Sequence, residues 1–554
     1  MASRGDSVSG NRRSGACLAV VGALMLAACG AGGSDGSSSN TEAAASLADR
    51  AAAIEWLTTA DTPASEAADV VEDATLRVRF YDEPSGFDPA TIFRVESENI
   101  AFNVYSGLTT YDGETGEIIP DLATEWTTTD NAVWTFTLRE GVTFQNGYGD
   151  FTSADVKYSY ERILDPATGS PYATEFASIS SIETPDDYTV TITLDEPNAN
   201  FLHLVSNYHQ GQIVSQEAVE EFGDDYAFNP IGTGPFIFSD YVPGTSFTLT
   251  RFADYYEGPA PVETIEYSII KDDETAAIAL QNDEVDLVMR QRGDERIVQL
   301  AEAGYRMFFR EQYGISLKMF NADIEPLADP RVRQAWAHAV DWETINATVA
   351  PVSQVVATNI LPPWMDVTTT DVPAYEYDPE RAVELLAEAG YPEGFTVTEL
   401  GRTSDGIDEA SQLEQSYLAA VGITLEFELV DTPVNNQRRN SGDFEIAGRL
   451  LPAINPDMIL FSYLAPENIA PAGLNGARYD NPELYDLLTQ ARAESDETTR
   501  LELYAQVQQI AMTDLPYLPT YASNNIWPAQ QRVQGVVLNP LAQVNLHDVY
   551  LIED

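Results

Sequence analysis

The stretch DPRVRQAWAHAV, residues 329–340, contains the clearest helix start in the chain. An aspartate at the N-cap followed by proline in the first turn favours a helix, because proline lacks the N–H group that a first turn leaves unpaired. Apolar residues then recur at helical spacing. The stretch DPERAVELLAEAG, residues 378–390, starts in the same way and reaches Gly390, a typical residue after a helix C-terminus. The sequence therefore predicts two helices with matching starts.

Strands are predicted where apolar and polar residues alternate. They are Thr75–Tyr81, Val133–Leu138, Tyr188–Leu194, Phe247–Phe252 and Ile423–Val430. Further helices are predicted at Thr152–Leu164 and Leu501–Met512. Interleaved strands and helices predict mixed α/β lobes. Because 554 residues exceed what one hydrophobic core usually organises, two or three lobes are expected.

The composition limits the partners of the protein. Acidic residues outnumber basic residues 88 to 29, and the formal net charge is -59. Such a negative surface disfavours nucleic acid as a partner, since its backbone repels carboxylates. The chain has three lysines, Lys157, Lys271 and Lys318. This balance is typical either of adaptation to high salt, where ions screen the self-repulsion, or of an ordinary acidic exported protein.

The N-terminus has the pattern of an export signal. Basic residues precede Cys17–Ala28 (CLAVVGALMLAA), an apolar run too short to span a bilayer comfortably. The run ends in LAACG, residues 26–30, which resembles the lipobox of bacterial lipoproteins. That resemblance implies that Cys29 becomes the first mature residue and carries a diacylglycerol, so that the protein is anchored at the outer face of the cytoplasmic membrane or in the periplasm. Arg12-Arg13 leaves twin-arginine export open beside the general route.

A flexible tether is predicted after Cys29. Residues 30–40 (GAGGSDGSSSN) are glycine and serine with almost no apolar side chains. A short helix is predicted at Ala44–Leu57, in an alanine-rich acidic stretch. Cys29 is the only cysteine left after cleavage, so the mature protein is expected to have no disulfide.

Catalytic and metal-binding motifs are missing from the sequence. It contains no His-Glu-x-x-His and no phosphate loop ending in Gly-Lys. The glycines of IGTGPF, residues 231–236, lack a following lysine and predict a tight turn before a strand. His203 and His209 lie near each other, but a metal site needs further ligands. The prediction is a protein without enzymatic activity, cofactor or metal.

Several short segments recur in an order that is typical of one protein family. They are YSGLTTY (105–111), PDLA (120–123) with Trp126, TFTLR (135–139), GVTF (141–144), FTSADV (151–156), IGTGPF (231–236), DPRVRQA (329–335) and YDPERA (377–382). Together they resemble the solute-binding proteins of ABC importers in extracellular family 5, the dipeptide and oligopeptide-binding group. The resemblance covers the chain from about residue 75 to its C-terminus.

The resemblance implies a large three-lobed periplasmic-binding-protein fold of the class C type, with mixed α/β sheets and a hinge between lobes I and III. The expected boundaries are a signal peptide at 1–28, the lipidated cysteine and tether at 29–73, lobe I at 74–118, 230–312 and 523–554, lobe II at 119–229, and lobe III at 313–522. A monomer of this kind captures a small solute between lobes and delivers it to an ABC permease and ATPase complex. Closure needs only a solute that touches both lobes and so favours the closed state.

The predicted pocket departs from the family pattern at the amine anchor. Peptide-binding members usually carry a segment resembling Ala-Asp-Tyr-Pro-Asp-Pro, whose first aspartate pairs with the peptide ammonium. The resemblance aligns this segment with AINPDM, residues 453–458, so that Ile454 replaces the acid and Asn455 follows it. A buried ammonium without its carboxylate costs about 3–5 kcal/mol, which disfavours a peptide with a free N-terminus. A slip of one register would make Asp457 the substitute.

Arginines and aromatic residues complete the candidate site. Arg402 lies close to where the dipeptide-binding relatives place an arginine for the ligand carboxylate, and Arg449 directly precedes the departing segment. Guanidinium groups bind carboxylates in a bidentate way, so both favour an anionic or polyhydroxylated ligand. Pairing of each arginine with one of the many acids is the alternative. Rings that could stack on a ligand are Tyr81, Tyr105, Tyr208, Trp364 and Tyr463.

The leading prediction is thus a lipid-anchored solute-binding receptor of an ABC importer whose ligand is anionic or polyhydroxylated. The alternatives are a peptide receptor with an altered amine anchor and a surface hydrolase, because 88 carboxylates do not exclude a catalytic pair. A sensory relative that binds solute without a permease is a further possibility.

Overall fold

The computed structural model describes residues 69–553 apart from 93, 114, 364, 366, 404–405, 453–455 and 540–542. The predicted signal peptide, Cys29 and the helix predicted at 44–57 lie outside the described residues. So do three of the site candidates, Trp364, Ile454 and Asn455.

Each predicted strand is present, with its ends within one residue of the prediction. The strands are β1 (Ala74–Phe80), β2 (Thr109–Tyr111), β3 (Ile118–Pro120), β4 (Ala123–Thr129), β5 (Val133–Leu138), β6 (Ile179–Asp186), β7 (Thr189–Leu194), β8 (Phe236–Val242), β9 (Ser246–Arg251), β10 (Val262–Ile269), β11 (Leu287–Val288), β12 (Arg306–Phe320), β13 (Gln354–Val356), β14 (Phe395–Arg402), β15 (Ile423–Val430), β16 (Ile446–Pro452), β17 (Tyr517–Ala529), β18 (Val533–Gln534) and β19 (Tyr550–Leu551).

The helices predicted within the described residues are present as well, and their caps are those that the sequence indicates. Asp329 accepts a hydrogen bond from the Arg331 N–H at 2.9 Å, and Asp378 accepts one from the Arg381 N–H at 2.9 Å. The helices are α1 (Val95–Val104), α2 (Ser153–Leu164), α3 (Ala173–Phe176), α4 (Phe201–Leu204), α5 (Gln216–Phe222), α6 (Asp273–Gln281), α7 (Asp294–Glu302), α8 (Pro330–Ala339), α9 (Trp342–Val349), α10 (Pro379–Glu388), α11 (Glu409–Ala420), α12 (Thr432–Ser441), α13 (Pro456–Leu464), α14 (Pro482–Ala493) and α15 (Glu497–Asp514).

One large sheet connects the lobes. Its order is β15-β14-β16-β12-β17-β11-β1-β10-β9-β8, with β13 paired to β17. β12 and β17 are long strands that pair antiparallel. Phe308 and Trp527, at one end of this pair, lie in a hydrophobic core that extends from Ala74 to Leu551. Leu317 and Leu518, at the other end, lie in a second core formed within the range predicted as lobe III.

A separate antiparallel sheet lies within the range predicted as lobe II. Its order is β4-β5-β7-β6. The turn predicted at residues 231–236 follows this lobe and leads into β8. Its glycines allow a close approach to the end of α1, because a Cβ on Gly232 would lie 2.2 Å from the carbonyl oxygen of Val104. The lobe names below refer to the predicted ranges.

Candidate functional site

In lobe III the chain adds strands first on one side of β14 and then on the other side. From β14 the chain passes through α11 to β15 on one side, and then through α12 to β16 on the other side of β14. All three strands are parallel. In open α/β sheets the carboxyl ends of the strands at such a reversal form a crevice that binds ligands. The site is therefore expected where β14 and β16 end.

Arg402 and Arg449 meet at this edge. β14 and β16 pair with Leu400 opposite Ala447, and the same register extended by two residues places Arg402 opposite Arg449. Arg449 is half-buried, and its guanidinium carbon lies 5.1 Å from the centroid of the Tyr463 ring. No described carboxylate lies within ion-pair distance of Arg449. The two arginines that the sequence analysis selected are thus brought together.

A third arginine, Arg439 of α12, joins them. Its Nη1 donates to the Gly448 carbonyl at 3.4 Å and its Nη2 to Asn436 Oδ1 at 3.1 Å. Its Nε is buried and has no hydrogen-bond partner among the described residues. Burial, together with the positive charges of Arg449 and Arg402, lowers the pKa of Arg439 to about 10. We call Arg402, Arg439 and Arg449 the arginine cluster.

Asp457, the residue predicted as the substitute acid, is buried beside an arginine. It lies in the first turn of α13 and is 8% exposed. Its Oδ2 is 3.3 Å from the Nε of Arg492. Burial raises the pKa of Asp457, although Arg492 and Tyr504 oppose this. Its Oδ1 has no hydrogen-bond partner among the described residues.

The tyrosine candidates fall into two groups. Tyr105 is fully buried and its hydroxyl donates to the Tyr226 hydroxyl at 3.1 Å. Tyr208 is 5% exposed, and burial raises its pKa well above the usual range. Tyr81 is half-buried and directly follows β1, with the guanidinium of Arg290 at 5.6 Å from its ring centroid. Tyr105 and Tyr208 therefore lie in the interior, and Tyr81 is the one of the three that borders a strand end.

The sequence analysis did not select two arginines that lie near these positions. Arg439 belongs to the polar stretch NNQRRN, residues 435–440, which is typical of a solvated helix face. Arg290 ends the apolar run VDLVMR, residues 285–290, in the same way that Arg449 heads another run. A cation that interrupts an apolar run is the signal that could have selected Arg290.

The described residues were compared with the requirements of a metal site and of a membrane-spanning helix. In residues 69–553, with the gaps given above, no group of three or more histidine, cysteine or acidic side chains is arranged to hold a metal ion. Among the helices that the structure describes, none is long and apolar enough to cross a bilayer.

Comparison with known proteins identifies the family. The family model described as "Bacterial extracellular solute-binding proteins, family 5 Middle" matches residues 117–468, which is more than half of the chain. This chain belongs to that family. Its members are substrate-binding proteins of ABC transporters and not enzymes, so the protein is a solute-binding receptor of an ABC importer. The alternative of a surface hydrolase is not supported by this membership.

Individual members of the family show how far the likeness extends. "Heme-binding protein A" of Haemophilus influenzae is 29% identical over 486 residues, which cover 82% of this chain and 88% of the relative. The periplasmic binding protein DppA of Helicobacter pylori, solved with the peptide STSA, is 28% identical with a TM-score of 0.78, covering 87% of this chain and 99% of its own. MoaA of A. tumefacien R10, solved with mannopinic acid, is 26% identical with a TM-score of 0.77, covering 87% and 100%. The expected three-lobed fold of the periplasmic-binding type is confirmed.

Proposed function

We propose that this receptor captures an anionic solute at the arginine cluster of lobe III. The observation that carries the proposal is the lack of counter-charge at Arg449 and Arg439. Neither has an ion pair with a described carboxylate, although the chain contains 88 acidic residues. Structural arginines normally acquire such partners when they are buried, because an unpaired buried charge is costly. An anionic ligand supplies the missing charge.

The geometry suits a carboxylate or a similar group. Guanidinium groups donate in a planar fork that matches the two oxygens of a carboxylate. The ring of Tyr463 lies beside the guanidinium of Arg449, 5.1 Å from its central carbon, which is within the range of a cation–π contact. Among the relatives, MoaA binds a compound that is named as an acid, mannopinic acid. That complex is consistent with an anionic ligand here.

A second part of the proposal concerns the location and the partners of the receptor. We propose that it is exported, anchored by lipid on Cys29, and held at the outer face of the cytoplasmic membrane or in the periplasm. A monomer delivers the solute to an ABC permease and ATPase complex. In this proposal the glycine- and serine-rich residues 30–40 act as a tether that lets the lobes reach the permease.

Two measurements test the anionic ligand. Native mass spectrometry of the purified receptor identifies any retained solute, and isothermal titration calorimetry gives affinities for a panel of carboxylic acids, sugar acids and peptides. Arg449→Gln is expected to weaken binding of the anionic ligand by about 10–100-fold, because a hydrogen bond to a charged group contributes about 1.5–3 kcal/mol.

Arg438→Gln is the matched control. Arg438 neighbours Arg439 on α12, but it is paired with Glu428 at 2.7 Å and with Asp443 at 3.2 Å. Its loss should leave affinity within about twofold, as expected for an exposed ion pair. Equal affinities for wild type and Arg449→Gln across every anionic ligand that binds would contradict the proposal.

A peptide ligand with an altered amine anchor is the second candidate. DppA of Helicobacter pylori binds the peptide STSA, and a peptide carboxylate would suit the arginine cluster. The buried Oδ1 of Asp457, which lacks a hydrogen-bond partner among the described residues, could accept from an ammonium group. A free peptide that binds much more tightly than its N-acetylated form would favour this candidate, whereas equal affinities would favour the leading one.

A further inference from the structure

Lobe I carries an arginine and tyrosine pair that resembles the pair in lobe III. Tyr81 directly follows β1, and Arg290 comes two residues after β11. The Arg290 guanidinium carbon lies 5.6 Å from the Tyr81 ring centroid, compared with 5.1 Å for Arg449 and Tyr463. Both arginines are half-buried. Each lobe thus presents a guanidinium supported by a tyrosine ring.

The charge of Arg290 is not balanced by its neighbours. No described carboxylate lies within ion-pair distance of it. Of the acids near Tyr81, Glu96 is paired with Arg94. Burial raises the pKa of Glu98 well above its usual range. Arg79 also lies near the ring, 5.9 Å from its centroid, but it is paired with Asp273 at 2.8 Å, so Arg290 is a cation at this strand end without a described acid partner.

The backbone at Arg290 is also unusual. Its φ is 54°, in the left-handed region that residues other than glycine rarely adopt. Such a conformation costs about 1–3 kcal/mol and persists where the surrounding structure imposes it, often at ligand-binding sites. This conformation accompanies the placement of the guanidinium beside Tyr81.

The strand ends that carry the two pairs point toward each other. β11 is antiparallel to β17, so its carboxyl end points toward the N-terminal end of β17. β16 and β17 are both antiparallel to β12, so the carboxyl end of β16 points toward the C-terminal end of β17. The ends that carry Arg290 and Arg449 therefore point toward each other along β17.

The distance between the two pairs is that of an extended small molecule. Gln291, next to Arg290, donates its N–H to the Ile526 carbonyl of β17. Arg449 lies opposite Leu317, which pairs with Pro519 of β17. Seven residue steps separate Pro519 from Ile526, so the strand advances about 23 Å between them. The solute and the two arginine side chains together would have to span this distance.

We propose that Arg290 and Tyr81 form a second anion-binding subsite, and that the solute is a dianion whose two anionic groups are separated and reach both lobes. The inference rests on the proposed anion site at the arginine cluster. Two facing cationic groups repel each other and disfavour closure when the cleft is empty. A solute with negative charge at both ends reverses this repulsion and binds the closed state better than the open state.

The test compares linear dicarboxylates of increasing length with their monoamides, by isothermal titration calorimetry and small-angle X-ray scattering. Wild type is expected to bind at least one dicarboxylate about 10-fold or more tighter than its monoamide, with closure on scattering, because a second charged hydrogen-bond group is engaged. Arg290→Gln should remove that preference and leave the affinity for the monoamide within about threefold.

The variants separate the two proposals. Arg449→Gln should weaken both members of each ligand pair, and no effect of Arg449→Gln on either would contradict the proposed function. An unchanged dicarboxylate preference in Arg290→Gln, or no dicarboxylate that wild type prefers over its monoamide, would overturn the second subsite alone. Arg296→Gln is the control, because Arg296 lies nearby on α7 and is paired with Glu274. Should Arg290→Gln fail to fold, Arg290→Lys is expected to keep a reduced preference.

Discussion

The lobe III sheet carries a positively charged side chain on each of its faces. The charge on one face is paired with carboxylates, and the charge on the other face has no described acid partner. Lys318 of β12 lies opposite Gly448, whereas Leu317 lies opposite Arg449, so the side chains of Lys318 and Arg449 point to opposite faces. The Lys318 Nζ is 2.6 Å from Glu399 Oε2 and 2.9 Å from Glu414 Oε2. On the other face, no described carboxylate pairs with Arg449.

The difference distinguishes a structural charge from a binding charge. Burial by itself lowers the pKa of Lys318, but the two carboxylates outweigh burial and raise it. Burial lowers the pKa of Arg439, and its neighbours Arg449 and Arg402 lower it further. One site is thus complete within the protein. At the other site, Arg439 and Arg449 have no acid partner among the described residues, and the proposed anionic solute would supply the negative charge.

The largest expected effect comes from removing Lys318. Lys318→Met leaves Glu399 and Glu414 buried without their cation, and breaking a buried ion pair in this way costs about 3–5 kcal/mol. Urea denaturation should therefore show a free energy of unfolding lower by about that amount. Lys271→Met is the control, since Lys271 is 63% exposed in its pair with Asp82 and should cost at most about 1 kcal/mol. If Lys318→Met lowers the free energy of unfolding by less than about 1 kcal/mol, then Lys318 is not a structural charge, and the proposed difference between the two faces of the sheet is wrong.

A smaller effect is expected in the pH dependence of stability. Burial, opposed by Lys318 and assisted by Glu399, raises the pKa of Glu414 to about 7, while Trp336 donates to its Oε1 at 3.0 Å. Because the folded pKa lies above the unfolded value of about 4.3, the stability that Glu414 contributes is present below pH of about 4.3 and is lost as pH rises through about 7.

Glu414→Gln tests this titration. Between pH of about 4.3 and 7, the free energy of unfolding of wild type should fall by up to about 1.4 kcal/mol per pH unit because of Glu414. The variant should not show this fall. Glu409→Gln, an exposed position on the same helix, is the control and should keep the wild-type profile. Parallel stability profiles for wild type and Glu414→Gln would show that Glu414 does not titrate in this window.

The smallest effect on stability is expected for the arginine cluster. The double variant Arg439→Gln and Arg449→Gln removes two cations that have no acid partner among the described residues, and it relieves their mutual repulsion. The free energy of unfolding should therefore fall by less than about 1 kcal/mol or rise. Thermal unfolding without ligand measures this, and a loss comparable to that of Lys318→Met would mean that the arginines are structural.

Much of the fold follows from local sequence patterns. Asp329 and Asp378 cap helices whose starts the sequence predicts, and alternating stretches such as Ile423–Val430 form the predicted strands. These patterns are readable because a cap or an amphipathic strand depends on residues that are adjacent in the chain. The ordered motifs from YSGLTTY to YDPERA predicted the family, which the family match confirms.

The site could be predicted only in part. The sequence selected Arg449 as a cation beside an apolar run and Arg402 through its resemblance to an arginine of dipeptide-binding relatives, and the strand register places them at one edge of the sheet. It also selected Tyr105, whose ring is fully buried, because a tyrosine in a core and one in a pocket look alike in sequence. Asp457 gave no sign of its contact with Arg492, which lies on another helix.

By itself the sequence determined the positions of helices and strands and the family, since these depend on neighbouring residues and on ordered motifs. The tertiary structure alone decided which charges are neutralised. Lys318, Glu399 and Glu414 come together from two strands and a helix, while Arg439 and Arg449 come together without an acid. Whether a charge is balanced depends on distances of a few ångströms between residues far apart in the chain, and Coulomb energy in a buried site makes those distances decisive.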